Sequence, residues 1–201
     1  MTELPRKLNL GSGKDWKEDY LNVDINPLWD PDVCVDMSLT DLAEPFTTTR
    51  FGFCIPLAPG HFDEIRAHDV LEHVPNLVQL MTNCIRLLRD GGEMRIIVPY
   101  DLSYGAWQDP THVRAFNERS WPYYTDWFWY LGWRDWRFDL TEIGYEPSDR
   151  LDLLADDGSY RVEDLLRTPR AIDSMHVTLT KRATTDAEKA EADRQTSRKQ
   201  G

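Results

Sequence analysis

Several stretches of the chain carry side chains suited to chemistry, beginning with Asp109-Pro110-Thr111-His112-Val113-Arg114. His112 is of the residue type that can take a proton from a hydroxyl near neutral pH, with Asp109 three residues earlier to fix its tautomer. Arg114 offers a planar fork to a carboxylate or phosphate. Tyr104 and Trp107 precede them on the same polar stretch and are candidate substrate contacts. A loop held by its own hydrogen bonds would show the same residues. Asp109 and His112 make two ligands, too few for a metal set, so no metal is expected.

A second group starts at Gly11-Ser12-Gly13, which stops the apolar-leaning run Lys7–Leu10. A glycine turn at a strand's end lets a ligand approach the backbone, and its N–H groups can face a polar or anionic group. A dinucleotide fingerprint needs a further glycine three residues on, where Trp16 stands, which argues against a nicotinamide cofactor. Asp24 ends the next alternating run and can accept from both hydroxyls of a ribose, the device of nucleotide binders. It follows Gly13 by only eleven residues, so the first crossover is short. Asp36, ending a third short run, can accept from an adenine amino group, or simply belong to a turn.

These residues need strands and helices to hold them. Extended runs are expected at Lys7–Leu10, Tyr20–Asp24, Val33–Asp36, Phe62–His68, Glu93–Val98, Arg137–Ile143 and Met175–Lys181. Leu77, Leu80, Met81, Cys84, Leu87 and Leu88 recur at helical spacing and predict a helix over Asn76–Leu88, stopped by Gly91-Gly92. Strands alternating with crossovers imply a mainly parallel α/β sheet. Asn117–Trp133 holds many of the eight tryptophans and is expected to be partly helical, with Ser120 as cap and Pro122 in the first turn. Its aromatics suit a core stripe, or else an acceptor wall or dimer face. Gly144–Ser174 is a long acidic excursion with a helix at Arg161–Arg167. Ala183–Gly201 lacks large apolar residues and is expected to be a disordered tail after a domain over 1–182.

Composition narrows the function classes. The 201 residues suffice for one domain, and 41% hydrophobic and 29% charged residues suit a soluble globular protein. No apolar run reaches membrane-spanning length, and no signal peptide is recognisable. Three cysteines without CxxC spacing indicate reduced thiols, so a cytoplasmic location is expected. A net charge of −12 with no basic cluster speaks against nucleic acid as partner.

Phe62-Asp63-Glu64-Ile65, continuing to Val70-Leu71-Glu72-His73-Val74, resembles the "FDxIxxxxVLEHV" segment of small class I S-adenosylmethionine-dependent methyltransferases. Leu87-Leu88-Arg89-Asp90-Gly91-Gly92 and Ile96-Ile97-Val98-Pro99 resemble their "LLKPGGxLxIxVP" segment, and Ile55–Asp63 their "LPFPDNSFD" stretch. With Leu10–Gly13 and Asn22–Asp24, these matches keep the family's order over residues 7–99. The resemblance implies a Rossmann-like sheet ordered 3-2-1-4-5-7-6, here with an aromatic-rich insertion after strand 5. It implies S-adenosylmethionine as cofactor and methyl transfer to a small acceptor, whose class is expected to be a sugar, lipid-linked or secondary-metabolite hydroxyl. By the same resemblance Gly11, Ser12 and Gly13 belong to the turn at the methionine moiety, Asp24 to the ribose, and Asp36 with Met37 to the adenine. His68 and Asp69 would face the cofactor from the fourth strand's end, and His73 would follow at the head of the next helix. The family has an acidic residue where Asn9 stands, which makes Asn9 the variant contact to the cofactor's amino group. The alternatives are a cofactor-binding module without catalysis and a nicotinamide-linked oxidoreductase or epimerase.

Overall fold

The computed structural model describes residues 4–39, 42, 46–48, 50–52, 54–55, 57–149 and 161–199. Among the described residues nine strands follow one another: β1 (Lys7–Leu10), β2 (Leu21–Asp24), β3 (Val33–Cys34), β4 (Phe46–Thr47), β5 (Cys54–Ile55), β6 (Phe62–His68), β7 (Leu88–Pro99), β8 (Trp136–Pro147) and β9 (Ile172–Ala183). β4 and β5 form a small antiparallel pair. The other seven make one sheet in the order β3-β2-β1-β6-β7-β9-β8. With the small pair set aside this is 3-2-1-4-5-7-6, the Rossmann-like methyltransferase sheet. Within it β3, β2, β1, β6 and β7 run parallel, and β9 lies antiparallel between β7 and β8.

Strand periodicity divides the sheet into two unlike faces. Ile65, Ala67, Met94, Ile96, Val98, Met175, Val177 and Leu179 alternate into the core. Helix α1 (Leu77–Leu87) covers them with its stripe of Leu77, Leu80, Met81, Cys84 and Leu87. Asn76 caps α1 by accepting from the backbone N–H of Gln79. The intervening Glu64, Arg66, His68, Arg95, His176 and Thr178 line a polar hollow of about 460 Å³ on the opposite side.

Gly91-Gly92 does not stop the helix. Leu88 is already extended, at φ −66° and ψ 140°, and the glycines lie in the irregular entry to β7. Gly91 takes φ +70°, and a Cβ on Gly92 would sit 3.0 Å from the Arg89 carbonyl and 3.1 Å from that of Phe62, so left-handed backbone explains the first glycine and close backbone approach the second. After β7 come the short helix α2 (Gly105–Gln108) and an aromatic segment with 3-10 turns at Trp121–Tyr123 and Phe128–Leu131. Ser120 is no cap there; its hydroxyl accepts from the N–H of Asn117. Trp121, Tyr124, Phe128 and Trp133 are buried, and the Trp133 indole donates to Thr82 of α1 at 2.9 Å. Tyr123, Trp127 and Tyr130 remain exposed.

Only α3 (Val162–Leu165) forms within the helix expected at Arg161–Arg167, and residues 150–160 of the acidic excursion lie outside the described residues. The tail is not disordered: Asp186–Lys199 is helix α4. Its start is a reciprocal cap, in which Thr185 N–H donates to Glu188 and Glu188 N–H donates to the Thr185 hydroxyl. Glu188 also accepts from Arg137 and Arg182, and Arg134 grips Asp193 with two bonds. Ion pairs and one buried alanine, Ala192, do the docking that the expectation reserved for large apolar side chains. Among the described residues no helix is long and apolar enough to cross a membrane.

Candidate functional site

In an open parallel sheet, ligands bind at the strands' carboxyl ends where the strand order reverses. Here β1 lies between β2 and β6, and that switch point holds a cleft of about 660 Å³, within the usual range for ligand pockets. Its floor is Leu10 and Gly11 after β1; its walls are Asp24–Asn26 after β2, Val35–Ser38 after β3, and Asp69, Val70 and His73 after β6. Leu80 of α1 and Thr111 from the loop after β7 complete it.

Gly11 has φ +63°, and a Cβ there would stand 2.4 Å from a Val70 methyl carbon, so both the turn and the packing require glycine. Asp24 is 9% exposed and its carboxylate joins two loops. One oxygen accepts from the N–H of Gly13 and the other from that of Asn26, both at 2.8 Å. Each oxygen keeps a lone pair for a hydroxyl donor. Asp36 accepts from the Ser38 N–H and hydroxyl through one oxygen, which holds that turn while Asp36 and Met37 line the cleft. Asp69 stands in left-handed backbone at φ +52° and also lines it.

Four expected cofactor contacts fall elsewhere. Ser12 and Gly13 lie behind the wall: Gly13 serves through Asp24, and the buried Ser12 hydroxyl has no partner. Asn9 and His68 belong to the other face. Asn9 is fully buried; its amide donates to the Asp15 carbonyl and Asn22, and its oxygen accepts from Arg66. His68 lines the polar hollow beside Arg66, and burial together with that guanidinium pushes its imidazole down to about 4. Strand alternation accounts for both, since Asn9 and His68 are even steps along their strands from water-side residues.

The loop after β7 also departs from expectation. Asp109 does not orient His112. Its Oδ1 accepts from the N–H and the hydroxyl of Thr111, and those bonds hold its carboxyl below the usual range. His112 Nδ1 meets the Ala106 carbonyl at 3.1 Å, and His112 is not in the cleft wall. His73 is in the wall; its Nδ1 lies 2.9 Å from the Thr111 hydroxyl, and its ring meets that of His112 edge to face at 4.5 Å. Arg114 is no anion clamp: one terminal nitrogen donates to the carbonyls of Val74 and Pro75. Tyr104 and Trp107 are exposed; Arg170 lies 4.2 Å over the Tyr104 ring, and the Trp107 indole donates to the Asp101 carbonyl.

Sequence reasoning passed over Glu72. It is 1% exposed, with both carboxylate oxygens unpartnered, and burial pushes its carboxyl up to about 7. A carboxylate between Leu71 and His73 in an apolar segment was the available signal. Thr111, Val70 and Trp29 were passed over too, because nothing local marks a hydroxyl, a valine or a tryptophan as part of a cleft.

A fold and cleft of this kind define an α/β domain with a ligand-sized cleft at the ends of its parallel strands. The family model described as a methyltransferase domain matches residues 31–96. A SAM-dependent methyltransferase from Archaeoglobus fulgidus is 18% identical, with 88% of this chain and 86% of that chain covered and a TM-score of 0.56. An S-adenosylmethionine-dependent methyltransferase from Mesorhizobium loti is 13% identical, with 90% and 93% covered and a TM-score of 0.51. The cyclase SpnF is also 13% identical, with 90% and 76% covered and a TM-score of 0.56, so likeness at this level speaks for the fold alone. No curated protein matches the sequence. The sheet order is that of class I S-adenosylmethionine-dependent methyltransferases, and the match over residues 31–96 is to a methyltransferase domain.

Proposed function

We propose that the acceptor is a hydroxyl of a small molecule of the sugar, lipid-linked or secondary-metabolite class, and that His73 activates it. The carrying observation is the chain Asp109–Thr111–His73. An ionised Asp109 only accepts, so the Thr111 hydroxyl gives its proton to Asp109 and must in turn accept from His73 Nδ1–H. The His73 Nε2 is left with a lone pair at the lip of the cleft. The role first assigned to His112 passes to its neighbour.

S-adenosylmethionine brings an already activated methyl group, so the protein's part is alignment and removal of a proton. Asp24 accepts the ribose hydroxyls on its two free lone pairs. Val35, Met37 and Leu80 give the adenine an apolar wall, with Asp36 at its edge. Gly11 and Asp69 hold the methionine end. The Nε2 of His73 takes the acceptor's proton, and the exposed Trp107 ring suits a flat or sugar-like acceptor.

His73→Ala should lower turnover by roughly 10²–10⁴-fold, the range for loss of a positioned base, with S-adenosylhomocysteine affinity changed less than about threefold. Turnover at the parent's level, measured with any hydroxyl acceptor found by screening, would overturn the assignment.

A further inference from the structure

Methyl transfer as described gives Glu72 no task, yet Glu72 is buried with both carboxylate oxygens unpartnered. A polar group in that position costs free energy unless something pairs with it. What surrounds it is a pair of imidazoles. One donor atom from each of Glu72, His73 and His112 lies within 4.8 Å of the other two.

The outer hydrogen bonds of both rings are of the kind that prepare imidazole for a cation. His112 Nδ1 meets the Ala106 carbonyl, which can only accept, so Nδ1 carries the proton and Nε2 the lone pair. His73 reaches the same state through Thr111 and Asp109. Metal-bound histidines hold their second nitrogen in this way, on a backbone carbonyl or a carboxylate. The acidic groups Asp69 and Asp109 also face Glu72 and add negative potential; Arg114, the nearby cation, is engaged with the carbonyls of Val74 and Pro75.

We propose that Glu72, His73 and His112 form a site for one divalent transition-metal cation of the zinc class. Two neutral imidazoles and a carboxylate suit such borderline ions better than magnesium or calcium. Metal–ligand bonds of about 2.1 Å in a tetrahedron put ligand atoms roughly 3.4 Å apart, so the three side chains must close by about an ångström. Three protein ligands leave a fourth position open. His73 and Thr111 also line the cleft, so the cation stands beside the space assigned to the acceptor. Its role rests on the hydroxyl reading above. Without the cation the His73 lone pair takes the proton; a bound cation would occupy that lone pair and make the hydroxyl more acidic, and the proton would then pass to solvent water.

The test is calorimetric titration of the untagged, chelator-treated full chain with zinc chloride, and metal analysis after dialysis. One zinc per chain at micromolar affinity or tighter is expected, with no competition from millimolar magnesium. Glu72→Gln and His112→Asn should each weaken binding at least tenfold while S-adenosylhomocysteine still binds, which also shows that the variants fold. Should Glu72→Gln fail to fold, His112→Asn and Thr111→Val, whose residues sit on the loop, carry the test. Affinity should fall as pH is lowered, because protons compete for the same lone pairs. Absence of zinc binding, or binding that neither Glu72→Gln nor His112→Asn weakens, overturns the proposal. Neither measurement involves turnover, so failure here is distinct from failure of the hydroxyl reading.

Discussion

Removing the Asp24 carboxylate tests the proposed cofactor site most directly, because this one group both shapes the cleft and lines it. Asp24→Ala strands the N–H groups of Gly13 and Asn26, each now bonded to it at 2.8 Å. Hydrogen bonds to a charged group contribute ~1.5–3 kcal/mol each, less whatever water restores, so a stability loss of about 2–4 kcal/mol is expected. For a chain of this size that lowers Tm by roughly 4–15 °C. Binding suffers separately, since the ribose hydroxyls lose their acceptor at ~1–3 kcal/mol, about 5- to 150-fold in Kd. Titration calorimetry with S-adenosylhomocysteine, well below the variant's Tm, reads binding free of the folding loss. Asp24→Asn gives the intermediate case, because its amide oxygen accepts while its nitrogen cannot. If Asp24→Ala melts lower but binds with the parent's affinity, the carboxylate is structural only and the ribose assignment is wrong.

Gly11→Ala should lower both Tm and S-adenosylhomocysteine affinity, because its Cβ would overlap the Val70 methyl in left-handed backbone; adding Val70→Ala should recover part of the stability, and no recovery would place the strain elsewhere. Deleting α4 should lower Tm by several degrees and leave cofactor affinity unchanged, since α4 contributes nothing to the cleft wall; an unchanged Tm would show that α4 does not dock. Within α4, the Arg182 guanidinium holds the Glu188 carboxyl down at about 2, against 4.5 ordinarily. Its contribution is therefore full above pH ~4.5 and lost as pH falls towards 2, worth about 1 kcal/mol after solvent screening. Chemical denaturation of Glu188→Gln at pH 7 and pH 3 should show the gap to the parent shrinking at the lower pH, and a constant gap would remove the ion pair from the account.

The sheet was legible in the sequence because its signals are local. Alternation over Phe62–His68 and Met175–Lys181, and the stripe on α1, need no distant partner to be read. The switch-point cleft was legible where a residue type has one dominant use, since Gly11 and Asp24 both line it. It failed where the side of a strand decides, as at Asn9 and His68, and where a loop folds back on itself. Asp109, His73 and His112 were all visible, but their link through Thr111 was not, because Asp109, Thr111 and His112 lie far from His73 in sequence. The α4 helix was missed by weighing apolar content above its capping residues, although Thr185-Asp186-Ala187-Glu188 carries the cap in plain form.

The short first crossover and the substitution at Asn9 have one physical explanation. Residues 11–20 form no helix, so the loop's backbone groups need other partners. Asn22 supplies several: its oxygen accepts from Lys17 N–H, and its amide donates to the carbonyls of Lys17 and Tyr20 and to Asp32. Asn9 donates to Asn22 and to the Asp15 carbonyl, and Asp32 accepts from the Asn22 N–H. A carboxylate at position 9 could not donate to either oxygen, so an amide is the side chain this loop requires. The acid expected there from family resemblance is replaced because the residue now holds a loop in shape. Glycines 11 and 13 depend on that loop for their position, and Asp24 depends on Gly13, so Asn9 acts on the cofactor cleft through the backbone from the far side of the sheet.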